Sequence, residues 1–189
     1  MTAIRDRYMY LRPVVPADYP NLYEWSRTAG IGDRWRFHGQ MPSYDDFVGT
    51  LFLGILEHKV VVTRADDKAV GLLTAYNADH RSGTCFLSAV SSPEFLSKGL
   101  VPLGAAVFTD SIFDSWPMRQ IYLEIFSYNL PVLNSVLARI AKEEACLKDD
   151  LFWEDAYYDR LIFSIERQRW CEEIRPLLTA DSAMLRKLT

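Results

Sequence analysis

Cysteine is scarce in this chain. The three that occur, Cys85, Cys146 and Cys171, are odd in number, far apart and form no CxxC pair, so neither a disulfide framework nor a cysteine zinc site is expected. No uncharged apolar run approaches the length of a membrane span, and no membrane partner is expected. The first seven residues, Met1-Thr-Ala-Ile-Arg-Asp-Arg7, lack the apolar core of a signal peptide, which makes a reducing, cytoplasmic setting the expectation. Positive charge is not in excess: 21 Lys and Arg face 25 Asp and Glu for a net charge of -4, which removes the overall electrostatic case for nucleic acid. His58 and His80 show no ligand spacing, and no metal is expected. No Ser–His–Asp or Cys–His grouping is readable from linear spacing. No internal repeat or low-complexity linker divides the chain.

What is present is the profile of one soluble globular domain over residues 1–189, with 49% hydrophobic and 24% charged residues and length enough for a substantial core. The core is expected over about 8–170, with a tail from 171 to 189. Tyr8 to Val14 reads as a first strand, closed by Pro13 and Pro16. Ala17 to Thr28 reads as a helix with Leu22 and Trp25 on one face, broken by Gly30 and Gly32. A charged-aromatic loop, Asp33-Arg-Trp-Arg-Phe-His-Gly39, follows. Ser43-Tyr-Asp-Asp46 resembles a capping box opening a helix to about Leu56. Strands are expected over Val60–Arg64, Val70–Tyr76 and Thr84–Val90. A helix then runs to about Phe113, where Pro117 blocks continuation. Gln120 to Phe126 alternates: Ile121, Leu123 and Ile125 face one way, Tyr122, Glu124 and Phe126 the other. Asn129 to Lys142 carries Leu133, Val136, Leu137 and Ile140 at helical spacing. Two strands, about Ala145–Trp153 and Tyr157–Glu166, close the order around the turn Glu154-Asp155-Ala156. The fold class is α+β, or α/β with a mixed sheet.

The stretch from Ala89 to Val101 joins the fourth strand to a helix through a loop carrying Lys98 and Gly99. Pro102 suits that helix's first turn, where its missing N–H costs little. The free N–H groups of the turn and the helix dipole favour an anion there. Lys98, Gly99, Leu100 and Val101 are therefore candidates to bind a phosphorylated ligand. The alternative is a solvated turn with a surface lysine.

Three patterns in sequence order carry a family resemblance. Pro93-Glu-Phe-Leu-Ser-Lys-Gly99 resembles an acyl-CoA pyrophosphate loop. Tyr122-Leu-Glu-Ile-Phe-Ser-Tyr-Asn129 resembles a fifth strand and the asparagine after it. Tyr157-Tyr-Asp159, with Phe163 and Trp170, resembles a closing strand. Together, over about residues 8–170, the chain resembles the GCN5-related N-acetyltransferase superfamily, and within it the branch of ribosomal-protein N-terminal acetyltransferases. Departures are specific. The family loop has Arg or Gln, two residues, Gly, one residue, then Gly or Ala; here Leu96, Gly99 and Val101 stand there. Leu96 removes a donor, and Val101 adds bulk where backbone should approach phosphate. Ile140-Ala141 replaces a Gly-Phe pair, and Val136 stands where a tyrosine often acts as acid.

The resemblance implies a central, mostly antiparallel sheet, splayed between the fourth and fifth strands, with helices on both faces. It implies acetyl-CoA as co-substrate and direct attack by a primary amine. Ser88, Ala89, Val90 and Ser91 would hold the pantetheine arm by their backbone, with an N–H near Val90 on the thioester oxygen. Asn129 would orient the arm, or cap the next helix. Glu124 is the candidate base, or else a carboxylate in a structural hydrogen bond or salt bridge. Tyr128 and Ser127 are candidate acids. Arg34, Trp35, Arg36 and His38 lie where family members cover the acceptor and would suit an acidic group, or form a plain solvated loop. Asp149, Asp150 and Trp153 would attract an ammonium from the other side, or form an exposed hairpin face. The acceptor would be a small-molecule amine or a protein N-terminus, with a homodimer allowed. Leu96, Val101 and Val136 also fit a protein that keeps the fold without turnover, and the weakened loop fits a carrier-protein acyl donor.

Overall fold

The computed structural model describes residues 8–32, 35, 40–96 and 98–179, excepting the side chains of residues 132 and 134–136. Its backbone is a seven-stranded sheet in the order β1-β2-β3-β4-β5-β7-β6. The strands are β1 (Met9–Arg12), β2 (Ile55–Thr63), β3 (Ala69–Asp79), β4 (Thr84–Ser91), β5 (Gln120–Phe126), β6 (Lys142–Trp153) and β7 (Ala156–Glu166). The helices are α1 (Tyr19–Arg27), α2 (Tyr44–Thr50), α3 (Leu100–Ser115), α4 (Leu130–Ile140) and a terminal helical segment α5 over residues 167–179. All neighbouring strands pair antiparallel except β4 and β5, which run parallel. The mixed sheet with helices on both faces is the expected architecture. Among the described residues no helix is long and apolar enough to cross a membrane.

The central strands are covered on both faces, which explains their unbroken apolar runs. Val60, Val61 and Val62 in β2, and Leu72 and Leu73 in β3, are fully buried. Each such side chain contributes about 1.5–3 kcal/mol of transfer free energy. One face carries Val61, Leu73, Leu87 and Ile121 under Val101, Phe108 and Ile112 of α3, Leu137 of α4 and Trp170 of α5. Gly104 lets α3 sit close, since a Cβ there would lie 2.9 Å from Val61. The opposite face carries Val60, Val62, Leu72 and Val90 against Leu22 and Trp25 of α1 and Phe47 of α2.

Several expected boundaries move. The helix opened by Ser43 is real, with the Asp46 N–H donating to Ser43 Oγ at 3.1 Å, but it ends at Thr50 rather than near Leu56. Gly54, at φ +69°, turns the chain into β2. The polar pair Glu57 and His58 hides the start of that strand from apolar periodicity. His58 is nevertheless buried there, its ring nitrogens 2.9 Å from Leu51 O and 2.9 Å from Thr74 Oγ1. At the far end, α4 stops at Ile140 and β6 begins at Lys142. The packed core also runs past residue 170, since Ile174 and Leu178 of α5 join it.

Candidate active site

The parallel pair β4–β5 is joined over a short seam only. Thr84, Cys85 and Phe86 pair with Gln120, Ile121 and Tyr122. Beyond Phe86, β4 stays bonded to β3 as far as Ser91, and β5 to β7 as far as Phe126. Their facing edges part and leave a cleft whose β4 wall is the backbone of residues 87–91. Strand edges of this kind carry main-chain donors and acceptors for an extended ligand. Both parallel strands lead to helices at the open end of the cleft, β4 to α3 and β5 to α4. Two helix N-termini therefore stand at one mouth, which suits an anion. Of the predicted β4 residues, Ser88 and Ser91 are half-buried, Ala89 is exposed and Val90 is buried against the α1–α2 side. Ser91 Oγ and Ser92 Oγ are buried without a hydrogen-bond partner among the described residues.

The described residues just before α3 hold contacts of their own. Pro93–Phe95 forms a 3-10 turn, the Lys98 N–H donates to Phe95 O at 3.2 Å, and Lys98 Nζ lies 4.1 Å from the Phe95 ring centroid. Gly99 caps the helix at φ +73°, and a Cβ built there meets nothing within 4 Å. The N–H groups of Leu100 and Val101 belong to the first turn and have no intrahelical acceptor. The expected obstruction by Val101 is corrected: its side chain is buried against Gly71 of β3, so its bulk lies beneath the helix instead of over its open end. Leu96 is 58% exposed and supplies no donor.

On the α1–α2 side of the sheet the cleft has a polar and aromatic wall. Tyr76, Phe86 and Tyr122 stand in register across β3, β4 and β5, with ring centroids 5.6 and 5.4 Å apart. They close the floor where the strands part. Two residues further along β5, Glu124 accepts a hydrogen bond from Tyr76 Oη at 3.2 Å and one from Arg160 Nη1 at 3.0 Å. Burial, reinforced by the Glu124 charge and hydrogen bond, pushes the Tyr76 phenol well above its usual range, so it acts here as a neutral donor. Arg160 also pairs with Asp150, Nε to Oδ2 at 2.8 Å. Past this network, Tyr128 stacks on Phe126 at 5.7 Å and meets Trp153 at 4.8 Å and Tyr158 at 5.0 Å.

The sequence matches no protein-family model and no curated protein. Solved structures match in three dimensions. A spermidine N-acetyltransferase from Vibrio cholerae in complex with CoA and spermine superposes with a TM-score of 0.77 at 16% identity, covering 87% of this chain and 98% of that one. A chimera of the Vibrio cholerae spermidine N-acetyltransferase and hSSAT gives 0.75 at 16% identity, over 87% and 99% of the two chains. A Vibrio cholerae spermidine/spermine N-acetyltransferase in complex with manganese ions gives 0.73 at 16%, over 88% and 97%. The chain has the GCN5-related N-acetyltransferase fold. Among the described residues of this acetyltransferase fold, no three His, Cys, Asp or Glu side chains are grouped to hold a metal ion.

Within that fold the sequence candidates separate. Glu124, Tyr128, Asp150 and Trp153 come together on one side of the cleft, and Lys98, Gly99, Leu100 and Val101 at its mouth. Asn129 precedes α4 without a side-chain capping bond, so the capping alternative is not realised. Ser127 Oγ accepts from the Asp159 N–H at 3.2 Å, which ties β5 to β7. Trp35 is corrected from an acceptor-side surface to a core position: it is buried, 6.0 Å from Phe47 in ring centroids. Arg34, Arg36 and His38 lie outside the described residues. The sequence reading passed over Tyr76 and Arg160. Strand alternation puts Tyr158, Arg160 and Ile162 on one face of β7, but only the β5–β7 register brings Arg160 opposite Phe126 and diagonal to Glu124.

Proposed function

We propose that this chain is an acetyl-CoA-dependent N-acetyltransferase acting on a primary amine by direct attack. The observation that carries the reading is the half-paired β4–β5 seam opening between two helix N-termini. The first-turn N–H groups of α3, with Lys98, would take the pyrophosphate. The free edge over Ser88–Ser91 would take the pantetheine arm. Acetyl-CoA supplies the acyl thioester, and a main-chain N–H near Val90 would polarise its carbonyl oxygen. Since α3 lies on one face of the sheet, the amine has the opposite face for its approach, past Glu124. That carboxylate holds two hydrogen bonds and keeps lone pairs for an ammonium. It would receive the proton the amine loses on attack, directly or through water. Tyr128 is the nearest phenol to Asn129 in the chain and the candidate donor to the leaving thiolate. The solved structures of this fold named above are polyamine acetyltransferases, which favours a small amine over a protein N-terminus.

Two observations favour a second reading. Glu124 is engaged by Arg160, and Leu96 gives the pyrophosphate loop no side-chain donor, which fits a CoA-binding protein without turnover. Calorimetry with CoA and thiol release from acetyl-CoA over a panel of primary amines separate the two. Binding with amine-dependent thiol release supports the enzyme. Binding with no release from any amine supports the second reading. Absence of CoA binding overturns both and leaves the carrier-protein donor as the reading to test.

A further inference from the structure

We infer that the acceptor is a monoamine bearing an aromatic or bulky apolar group, and not a polycation. This rests on the acetyl-transfer reading above and names its substrate class. The amine side of the cleft has two properties that together set that class.

The first is charge. Among the described residues, two carboxylates stand together on this side of the cleft, Glu124 and Asp150, and one guanidinium, Arg160, is shared between them at 3.0 and 2.8 Å. Their local sum is a single negative charge, which matches one ammonium. The next carboxylate along β7, Asp159, is already held by Lys148 at 2.6 Å and by the Asp149 N–H at 3.1 Å. A chain with two or three ammonium groups would set its further charges beside Arg160, where like charges repel. The second property is the wall itself. Tyr76, Phe86 and Tyr122 floor the cleft on one side of Glu124. Tyr128, Trp153 and Tyr158 continue it on the other. Within each group the rings pack together: Tyr128, for one, lies parallel to Phe126, with 15° between the planes, and edge-on to Tyr158 at 89°. They form two aromatic faces, one on either side of the Glu124–Arg160 pair. An arylalkyl amine fits both parts, with its ring on the wall and its ammonium at Glu124.

The test compares 2-phenylethylamine, butylamine and spermidine as acceptors at saturating acetyl-CoA, and measures their binding to the CoA complex by calorimetry. The expected order is 2-phenylethylamine first, with kcat/KM and affinity at least about tenfold above spermidine. Arg160→Gln unmasks both carboxylates and should narrow that ratio severalfold in favour of spermidine. Tyr128→Leu should lower 2-phenylethylamine affinity more than butylamine affinity, and serves if the arginine variant does not fold. Spermidine bound or used as well as 2-phenylethylamine overturns the inference and leaves acetyl transfer standing. A CoA complex that binds neither amine overturns it as well, and thiol release from other amines then decides whether the reaction survives.

Discussion

Asp18 shows how much one side chain can hold. It is 5% exposed, yet both oxygens are satisfied. Arg12 donates to Oδ1 and Oδ2 at 2.7 Å each, and the Val15 N–H donates to Oδ2 at 2.9 Å. Burial alone would raise its pKa; the guanidinium and the amide prevail and hold it below the usual carboxylate range. With the folded value depressed, the contribution is full above the unfolded pKa of about 3.9 and is lost as pH falls through the folded value. Asp18→Asn should therefore cost about 1–3 kcal/mol at pH 7, and much less near pH 2, in urea denaturation at the two pH values. Glu124 is its counterpart in the cleft. Glu124→Gln keeps the shape and the Tyr76 contact but removes the ionisable group. A base role predicts a loss of roughly 100-fold or more in kcat, loss of the acidic limb of the pH–rate profile, and unchanged CoA affinity. The parental profile in this variant would leave Glu124 a structural partner of Arg160. The sequence showed Glu124 on the polar face of β5 but not that partner, because 36 residues separate the two and only the sheet register joins them. Trp35, flanked by two arginines, looks like a surface residue in sequence; packing against Phe47 decides otherwise.

Elements differ in how openly they are written. β5 was legible to the residue, from Gln120 to Phe126, because one face is apolar and the other is not. β2 was legible only where it is apolar. Glu57 accepts from Trp116 Nε1 at 3.3 Å, a partner 59 residues away that no local window shows. The start of α3 was legible as a Gly–x–x–Pro turn, but not the direction of Val101. Two variants probe that turn. Gly99→Asp places a carboxylate at the helix mouth, at a φ that Asp tolerates better than most residues. CoA affinity should fall at least tenfold by calorimetry, while far-ultraviolet circular dichroism stays unchanged. Gly71→Ala acts from beneath, since its Cβ would collide with Val101 and lie 2.8 Å from Val90 O. It should cost about 1–3 kcal/mol in thermal or urea unfolding, with the loss shared between β3 and α3.

The whole molecule is closed by its last described helix. Trp170 is 1% exposed, and its indole N–H donates to Asp110 Oδ1 at 2.9 Å while Arg175 Nε reaches the same oxygen at 2.6 Å. Trp170→Ala should cost about 3–5 kcal/mol and lower the Tm by scanning calorimetry. The sheet itself has one weak line. Four strands stand on one side of the β4–β5 seam and three on the other, and three residue pairs join them. Those two leaves are free to flex about the seam in a way a fully laddered sheet is not. A long molecule laid in the cleft, touching both edges, would serve as a splint. Amides on the open edge of β4 should then exchange with deuterium more slowly once CoA is present, while those between β2 and β3 keep their pace. The sheet's stiffness would thus be borrowed from its ligand, and release of CoA would return it to its looser state.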